Sequence, residues 1–254
     1  MVRSDLDGNG FDDLVLDFGP PLGVRVWMNH RTWQVLHAIS PAHMVTGNLD
    51  DNGRDEVVFD WPGYGLWAWR NNTDWAPLHP RSADRLLIAG KALIADFPGS
   101  GLWMFGTNSE WTQIHPFSVT AWTAADLDGN GQPEVVASFP GQGLWVYQNG
   151  ATWMLLHWME AASVAAGQFD EGTQPDLAID FGPQVGLWSY SNGTTWRMLH
   201  PMSSKALAVG DLTGDGRDEL VIDFGGAGLW AVQGTTWTMV HTVAGLGLAT
   251  GRFH

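Results

Sequence analysis

Short apolar runs alternate with polar, glycine-bearing turns along the whole chain, and the alternation repeats. In one repeat Ala206-Leu207-Ala208-Val209-Gly210 is apolar, Asp211 to Glu219 is polar, and Leu220-Val221-Ile222-Asp223 is apolar again. After Phe224-Gly225-Gly226-Ala227-Gly228 come Leu229-Trp230-Ala231-Val232, the turn Gln233-Gly234-Thr235, and Thr236-Trp237-Thr238-Met239-Val240-His241. Runs of this length, broken by turn residues every eight to twelve positions or so, predict four strands in an antiparallel meander. In the third strand Trp67 and Trp69 lie two apart and share a face, as do Trp103 and Phe105, Trp145 and Tyr147, and Trp188 and Tyr190. In the outer strand the same alternation puts Trp and His, four apart, on one face and the Leu or Val before the His on the other.

The repeat has two markers. Trp-x-x-x-His occurs at Trp33/His37, Trp75/His79, Trp111/His115, Trp153/His157, Trp196/His200 and Trp237/His241, with tryptophans 42, 36, 42, 43 and 41 residues apart. Upstream of each pair lies Gly-Leu-Trp, ending at Trp67, Trp103, Trp145, Trp188 and Trp230; the first copy is altered to Gly23-Val24-Arg25. A steady period of about 42 residues with strand content is the signature of four-stranded propeller blades. The expected architecture is therefore all-β, one domain over residues 1–254, a six-bladed propeller. The last apolar run, Leu246 to Gly251, follows all six meanders and is expected to return to the first blade and close the ring, in competition with Met1 to Ser4. The rival reading is a cut from a longer array, such as seven blades.

Composition narrows the function. Lys and Arg number 12 against 27 Asp and Glu, a formal charge of -15. That disfavours nucleic acid and anionic membranes and suits a protein that binds cations. There is no cysteine, so disulfides say nothing of the compartment. No apolar run approaches the roughly 18 residues of a spanning helix. Met1-Val2-Arg3-Ser4-Asp5 enters the first repeat at once without a signal peptide, although a mature chain with its signal removed would read the same.

The loop between the first and second strands carries chemistry. Loop one places oxygen side chains at Asp5, Asp7, Asn9 and Asp13, with the Phe11 carbonyl between. Loop four repeats this with Asp126, Asp128, Asn130, the Gln132 carbonyl and Glu134. Loop two offers Asn48, Asp50, Asn52, the Arg54 carbonyl and Glu56; loop six offers Asp211, Thr213, Asp215, the Arg217 carbonyl and Glu219. Hard oxygen donors at alternate positions of a glycine-bearing loop are what Ca2+ requires. In loop five Gln168, Gly172 and Gln174 erode the pattern and leave Asp170 and Asp176, and at Lys91-Ala92 the third loop is gone. The plainer alternative is a set of turns whose carboxylates cap backbone amides.

The order apolar strand, Asp-x-Asp-Gly-Asn-Gly-x-x-Asp, apolar strand, then Asp17-Phe18-Gly19-Pro20 or Asp180-Phe181-Gly182-Pro183, resembles the FG-GAP/VCBS repeat family, which includes the integrin α-chain propeller and many bacterial secreted proteins. The resemblance spans the chain and implies calcium in the loops of repeats one and four, and in part of repeats two and six. Repeats three and five depart from it. The Gly-Leu-Trp and Trp-x-x-x-His elements go beyond the family pattern and suggest a Trp-rich subgroup. The family holds adhesion modules, lectins and domains attached to enzymes, so the likeness leaves function open.

Six histidines on separate outer strands cannot converge on one ion; a ring stacked on Trp and hydrogen-bonded to a nearby turn is the expected role. Asp17, Asp60, Asp96, Asp180 and Asp223, with Ser138 in the fourth repeat, close the second strands. They either cap the following turn or, with Trp67, Trp103, Trp145, Trp188 and Trp230, form shallow sugar sites repeated once per blade. No catalytic motif emerges, although an axial funnel with Arg25, Trp122 or Trp158 could host chemistry. The leading expectation is a non-catalytic, secreted, calcium-binding module that binds glycans or glycoconjugates. A protein-interaction or adhesion module and an enzyme with an axial site are the alternatives.

Overall fold

The computed structural model describes residues 2–245 and is all-β, with six four-stranded antiparallel sheets that match the content of a six-bladed propeller. The chain forms two compact units meeting in sequence at Ser118 and Val119. The first holds three sheets: β1 (Val2–Ser4), β2 (Asp13–Asp17), β3 (Val24–Met28), β4 (Thr32–His37); β5 (His43–Gly47), β6 (Glu56–Trp61), β7 (Gly65–Arg70), β8 (Asp74–His79); and β9 (Arg85–Ala89), β10 (Ala92–Phe97), β11 (Gly101–Phe105), β12 (Trp111–His115). The second holds β13 (Ala121–Ala125), β14 (Glu134–Phe139), β15 (Gly143–Gln148), β16 (Thr152–His157); β17 (Ser163–Gly167), β18 (Asp176–Asp180), β19 (Leu187–Ser191), β20 (Thr195–His200); and β21 (Ala206–Gly210), β22 (Glu219–Asp223), β23 (Leu229–Gln233), β24 (Thr236–His241). Within each unit the first strand of one sheet contacts the first strand of the next: β1 with β5 and β5 with β9, then β13 with β17 and β17 with β21.

Burial follows from this stacking. The second strands β6, β14, β18 and β22 are buried at every position, and β6 and β18 have a sheet of their own unit on both sides. Along β6, Val57, Phe59 and Trp61 join the core shared with sheet one, and Val58 joins the core shared with sheet three. Each such side chain contributes about 1.5–3 kcal/mol of burial free energy.

The outer strands correct one expectation. All six third-to-fourth strand pairs carry a β-bulge at the Leu-Trp step, or Val24-Arg25 in the first. In sheet two, Trp67 faces Pro77 and Leu66 faces His79, so Leu78 is the extra residue. An inserted residue reverses the alternation that follows it. Trp75 therefore turns toward sheet one, against His37 at 5.8 Å, and His79 turns toward sheet three, against Phe97 at 4.4 Å and Trp111 at 5.3 Å. Trp and His of one strand lie on opposite faces. The glycine of Gly-Leu-Trp enables the bulge. Gly65 has φ +82°, and a β-carbon there would strike the His79 carbonyl and the Pro80 backbone.

Each of the six histidines is tied to the chain that follows it, and His37, His79, His157 and His200 also fasten two sheets. Each Nδ1 accepts the N–H two residues on: Ile39, Arg81, Phe117, Met159, Met202 and Val243, at 3.0–3.3 Å. The rings of these four lie against aromatic groups of the next sheet: His37 on Trp61, His79 as above, His157 on Phe181 and Trp196, His200 on Phe224 and Trp237. The expected structural role of the histidines is what the geometry supplies.

The place beside β2 is taken by β1, with Val2 opposite Val15 and Ser4 opposite Asp13. The expected closing strand, Leu246 to Gly251, lies outside the described residues.

An Nδ1 that accepts an amide proton leaves the ring proton on Nε2. Burial lowers the pKa of His79, His115 and His157 below the ordinary value, so the neutral ring is favoured. Their contribution to stability is complete above about pH 6.5 and is lost as pH falls through the depressed values. Nitrogen-15 NMR is expected to show these three rings as Nε2–H tautomers titrating below about pH 6.5; an Nδ1–H tautomer, or ordinary titration, would contradict the assignment.

Candidate functional site

The acidic loops wrap as their spacing implies. In loop one Asp5 accepts the N–H groups of Gly8, Asn9 and Gly10, and Asn9 accepts Phe11 N–H. Asp13, at the start of β2, takes Leu6 N–H on one oxygen and Asn29 N–H on the other. In loop four Asp126 accepts Asn130 and Gly131 N–H, Asn130 accepts Gln132 N–H, and Glu134 Oε2 accepts Leu127 N–H. The carboxylates of Asp5, Asp7 and Asp13 converge within 4.8 Å of one another, and so do those of Asp126, Asp128 and Glu134. Among the described residues this three-acid convergence is confined to loops one and four.

The sequence reading missed the asparagines of the third-to-fourth strand turns. Asn29, Asn71 and Asn149 all have positive φ. Asn52 Nδ2 donates to Asn71 and Asn130 Nδ2 to Asn149, each at 2.8 Å, and Asn9 bonds Asn29 in the same way. Their recurrence just after the third strand was the available signal.

The chemistry of the donor sets fits a hard dication to different degrees. Glu134 is 1% exposed and its Oε1 has no hydrogen-bond partner. Its pKa is raised by burial, and further by Asp128 and Asp126. Asp13 is raised by burial, with Asp7 and Asp5 adding to the effect. In loop two the buried oxygens Asn48 Oδ1 and Glu56 Oε1 both lack partners. A buried acceptor without a donor is costly, and a Ca2+ would satisfy these oxygens. In loop six Glu219 is occupied on both oxygens, by Leu212 N–H and the Thr213 hydroxyl. Loop five keeps Asp176 and Asp170 in contact, with Asp176 accepting Asp170 N–H at 3.0 Å.

The second-strand acids are corrected as ligand groups. Asp60, Asp96, Asp180 and Asp223 are at most 1% exposed. Asp60 accepts Ala83 N–H, Asp180 accepts Gly182 and Ser204 N–H, and Asp223 accepts Gly225 and Gly245 N–H. Ser138 takes the same role for Ala161 N–H. Each ties the end of a second strand to the segment that leads away from its own outer strand. Only Asp17 is exposed, and it accepts Gly19 N–H and the Ser40 hydroxyl. Carboxylates enclosed in this way cannot reach a surface sugar.

The tryptophans are half-buried. Each indole N–H of Trp67, Trp103, Trp145, Trp188 and Trp230 donates to the carbonyl three residues back, at 2.9–3.2 Å. One of them helps line an open aromatic cleft of about 260 Å³ between sheets one and two, formed by His37, Ile39, Trp61, Tyr64, Trp67 and Trp75. The Trp61 and Trp67 N–H groups are turned onto the Ile39 and Tyr64 carbonyls. Tyr64 is 66% exposed at the rim. The copies are not alike. At the next junction Arg81 stands where Ile39 does, lies over Phe97, and binds the Pro98 carbonyl and Ser100 hydroxyl. His37, Ile39, Trp61, Tyr64 and Trp75 were not anticipated as ligand groups. The signal was the departure of Trp61 from the Phe of the other repeats and of Tyr64 from the non-aromatic Leu22, Ser100, Gln142, Val185 and Ala227.

No protein-family model matches the chain, and no curated protein matches it in sequence. Solved structures do resemble it. BP39L lectin from Burkholderia pseudomallei aligns with 94% of this chain and 83% of its own, with TM-score 0.65 and 15% identity. A lectin of Agrocybe aegerita, described as recognising non-reducing terminal N-acetylglucosamine, aligns over 94% and 79%, with TM-score 0.64 and 15% identity. BBS1N, solved in complex with ARL6DN, aligns over 92% and 78%, with TM-score 0.60 and 11% identity. At this identity the likeness establishes fold.

Burial, followed by the neighbouring Asp170 charge, pushes Asp176 up to about 6. A raised carboxyl pKa contributes stability that is complete below about pH 4 and lost as pH rises through about 6. With metal chelated, Asp176→Asn is expected to melt above the parent at pH near 7.5 and level with it near pH 4. Equal melting curves at both would contradict the assignment.

Proposed function

We propose that the chain is a calcium-stabilised, non-catalytic propeller of six blades in a single domain, acting outside the cell as a glycan-binding module. The observation that carries the reading is the aromatic cleft. The indole N–H groups of Trp61 and Trp67 are satisfied by backbone carbonyls, so these two rings offer the opening their surface, a stacking platform for the apolar face of a pyranose. The two lectin folds among its structural neighbours and the exposed Tyr64 support it. Ring closure at the first blade, by the C-terminal strand beside or in exchange with β1, belongs to the same proposal.

A protein partner is the second reading. The outer strands expose Met154, Leu155, Met198, Met239 and Val240, and one neighbouring fold was solved with a protein bound.

A glycan array separates the two readings. Binding to terminal sugars, weakened about tenfold (about 1.4 kcal/mol) by Tyr64→Ala without a change in melting temperature, is the expected result. A silent array would favour the protein partner.

Calcium is proposed in loops one and four, with loop two a further candidate. Chelation is expected to lower the melting temperature, and Asp5→Ala and Asp126→Ala each to remove one metal equivalent by mass spectrometry. Unchanged metal content in both variants would reduce the loops to capped turns.

A further inference from the structure

Repeat five departs from its neighbours on the β19–β20 face that points away from its tryptophans. The strand pair sets Ser189 opposite Arg197 and Ser191 opposite Thr195. The pair equivalent to Ser189 and Arg197 is Ala68 and Ala76 in sheet two, Val146 and Met154 in sheet four, and Ala231 and Thr238 in sheet six. In sheets one and three the pair is Val26 with Gln34 and Met104 with Thr112, so Ser189 replaces an apolar residue of every other repeat and Arg197 is the one cationic group at its position.

These residues line a second cleft, of about 300 Å³, at the loop end of the sheet. Its other walls are Asp170 and Glu171 from loop five, Asn192 from the β19–β20 turn, and Gly234 and Thr235 from the β23–β24 turn. Two ties hold the far wall in place: Gly234 N–H donates to the Phe169 carbonyl at 2.6 Å, and Arg197 donates to the Gly234 carbonyl at 3.0 Å. Ser189 and Ser191 are 2% and 7% exposed. Behind the wall Asp176 is fully buried beside Asp170 and Ser191, with Oδ1 lacking a hydrogen-bond partner. Apart from Gly234 every lining side chain is polar, and carboxylates outnumber the single guanidinium.

We propose that this cleft is a ligand site separate from the aromatic one, for a small polyhydroxylated molecule bearing a protonated amine, such as an amino sugar with a free amino group. The cleft has the volume of a small-molecule site and no aromatic platform. Its recognition must therefore run through hydrogen bonds and charge. The hydroxyls of Thr195 and Thr235, the Asn192 amide and the remaining Arg197 donors match a polyol, while Ser189 and Ser191, bonded to the Arg197 carbonyl and to Asp176, form the polar back wall. Asp170 and Glu171 give the excess negative charge that an ammonium group neutralises through charge-assisted hydrogen bonds. The loss of the cation-loop pattern in this repeat, at Gln168, Gly172 and Gln174, goes with the change of ligand.

The test is an NMR titration of the intact chain with D-glucosamine at about pH 6.5, where the amine is protonated. D-glucose and N-acetyl-D-glucosamine serve as neutral controls. Glucosamine is expected to shift the amides of Ser189, Ser191 and Thr235 and to bind at least about tenfold more tightly there than either control. Glu171 is exposed, so Glu171→Gln should fold normally and weaken glucosamine by a similar factor. Tyr64→Ala should leave these shifts intact, which separates this site from the aromatic cleft. Equal binding of all three sugars, no effect of Glu171→Gln, or the same shifts with calcium chloride alone would overturn the proposal.

Discussion

One junction recurs where one sheet follows another within a unit: an imidazole of His37, His79, His157 or His200, held by an amide proton of its own chain and packed against the aromatic groups of the next sheet. Without the Nδ1 hydrogen bond the ring would be free to rotate out of the stack. Without the stack the connecting segment would have nothing to lie on. Each aromatic contact is worth about 0.5–1.5 kcal/mol beyond its burial. Because the bulge sends Trp and His of one outer strand in opposite directions, β8 and β20 each reach the sheets on both sides within their unit. Trp75 meets His37 on one side, and His79 meets Phe97 on the other. For His79 and His157, whose pKa burial lowers, protonation state is thereby part of the packing.

A second fastening lies beside the first. Asp60, Asp180 and Asp223, and Ser138 in their stead, hold the segment that leads out of the outer strand. Enclosing a carboxylate is costly unless its oxygens are hydrogen-bonded, and burial raises the pKa of Asp60 accordingly. The acidic loops add to the same strain, since Glu134, Glu56 and Asp13 are all raised by burial and by neighbouring acids. The calcium proposed for the loops would relieve them and so add to stability.

Repetition builds the frame, and departures from it make the clefts. Trp61 and Tyr64 open an aromatic recess that Arg81 spans at the following junction. Ser189 puts a hydroxyl where the other repeats hold Val, Ala or Met, and Arg197 adds a cation opposite it. The two clefts use opposite ends of their sheets: the second-to-third strand turn in one case, the first-to-second loop and third-to-fourth turn in the other.

The period of the Trp and His markers, the strand-length apolar runs and the spacing of Asp5, Asp7 and Asp13 were enough to read four-stranded sheets and oxygen-lined loops. Those features depend on local periodicity and turn chemistry, which the chain carries residue by residue. The structural role of the histidines was also legible, because copies on separate strands cannot share one ion. The face each one takes was not. A single bulged residue reverses side-chain alternation, and a bulge is defined only against a partner strand. Nor could the sequence tell an Asp that caps a turn from one that meets a ligand, since Asp60 and Asp17 occupy the same place in their repeats and differ in burial. Which copies open into clefts was decided by contacts between sheets, where the size and charge of one residue, Ile39 or Arg81, settles whether space remains.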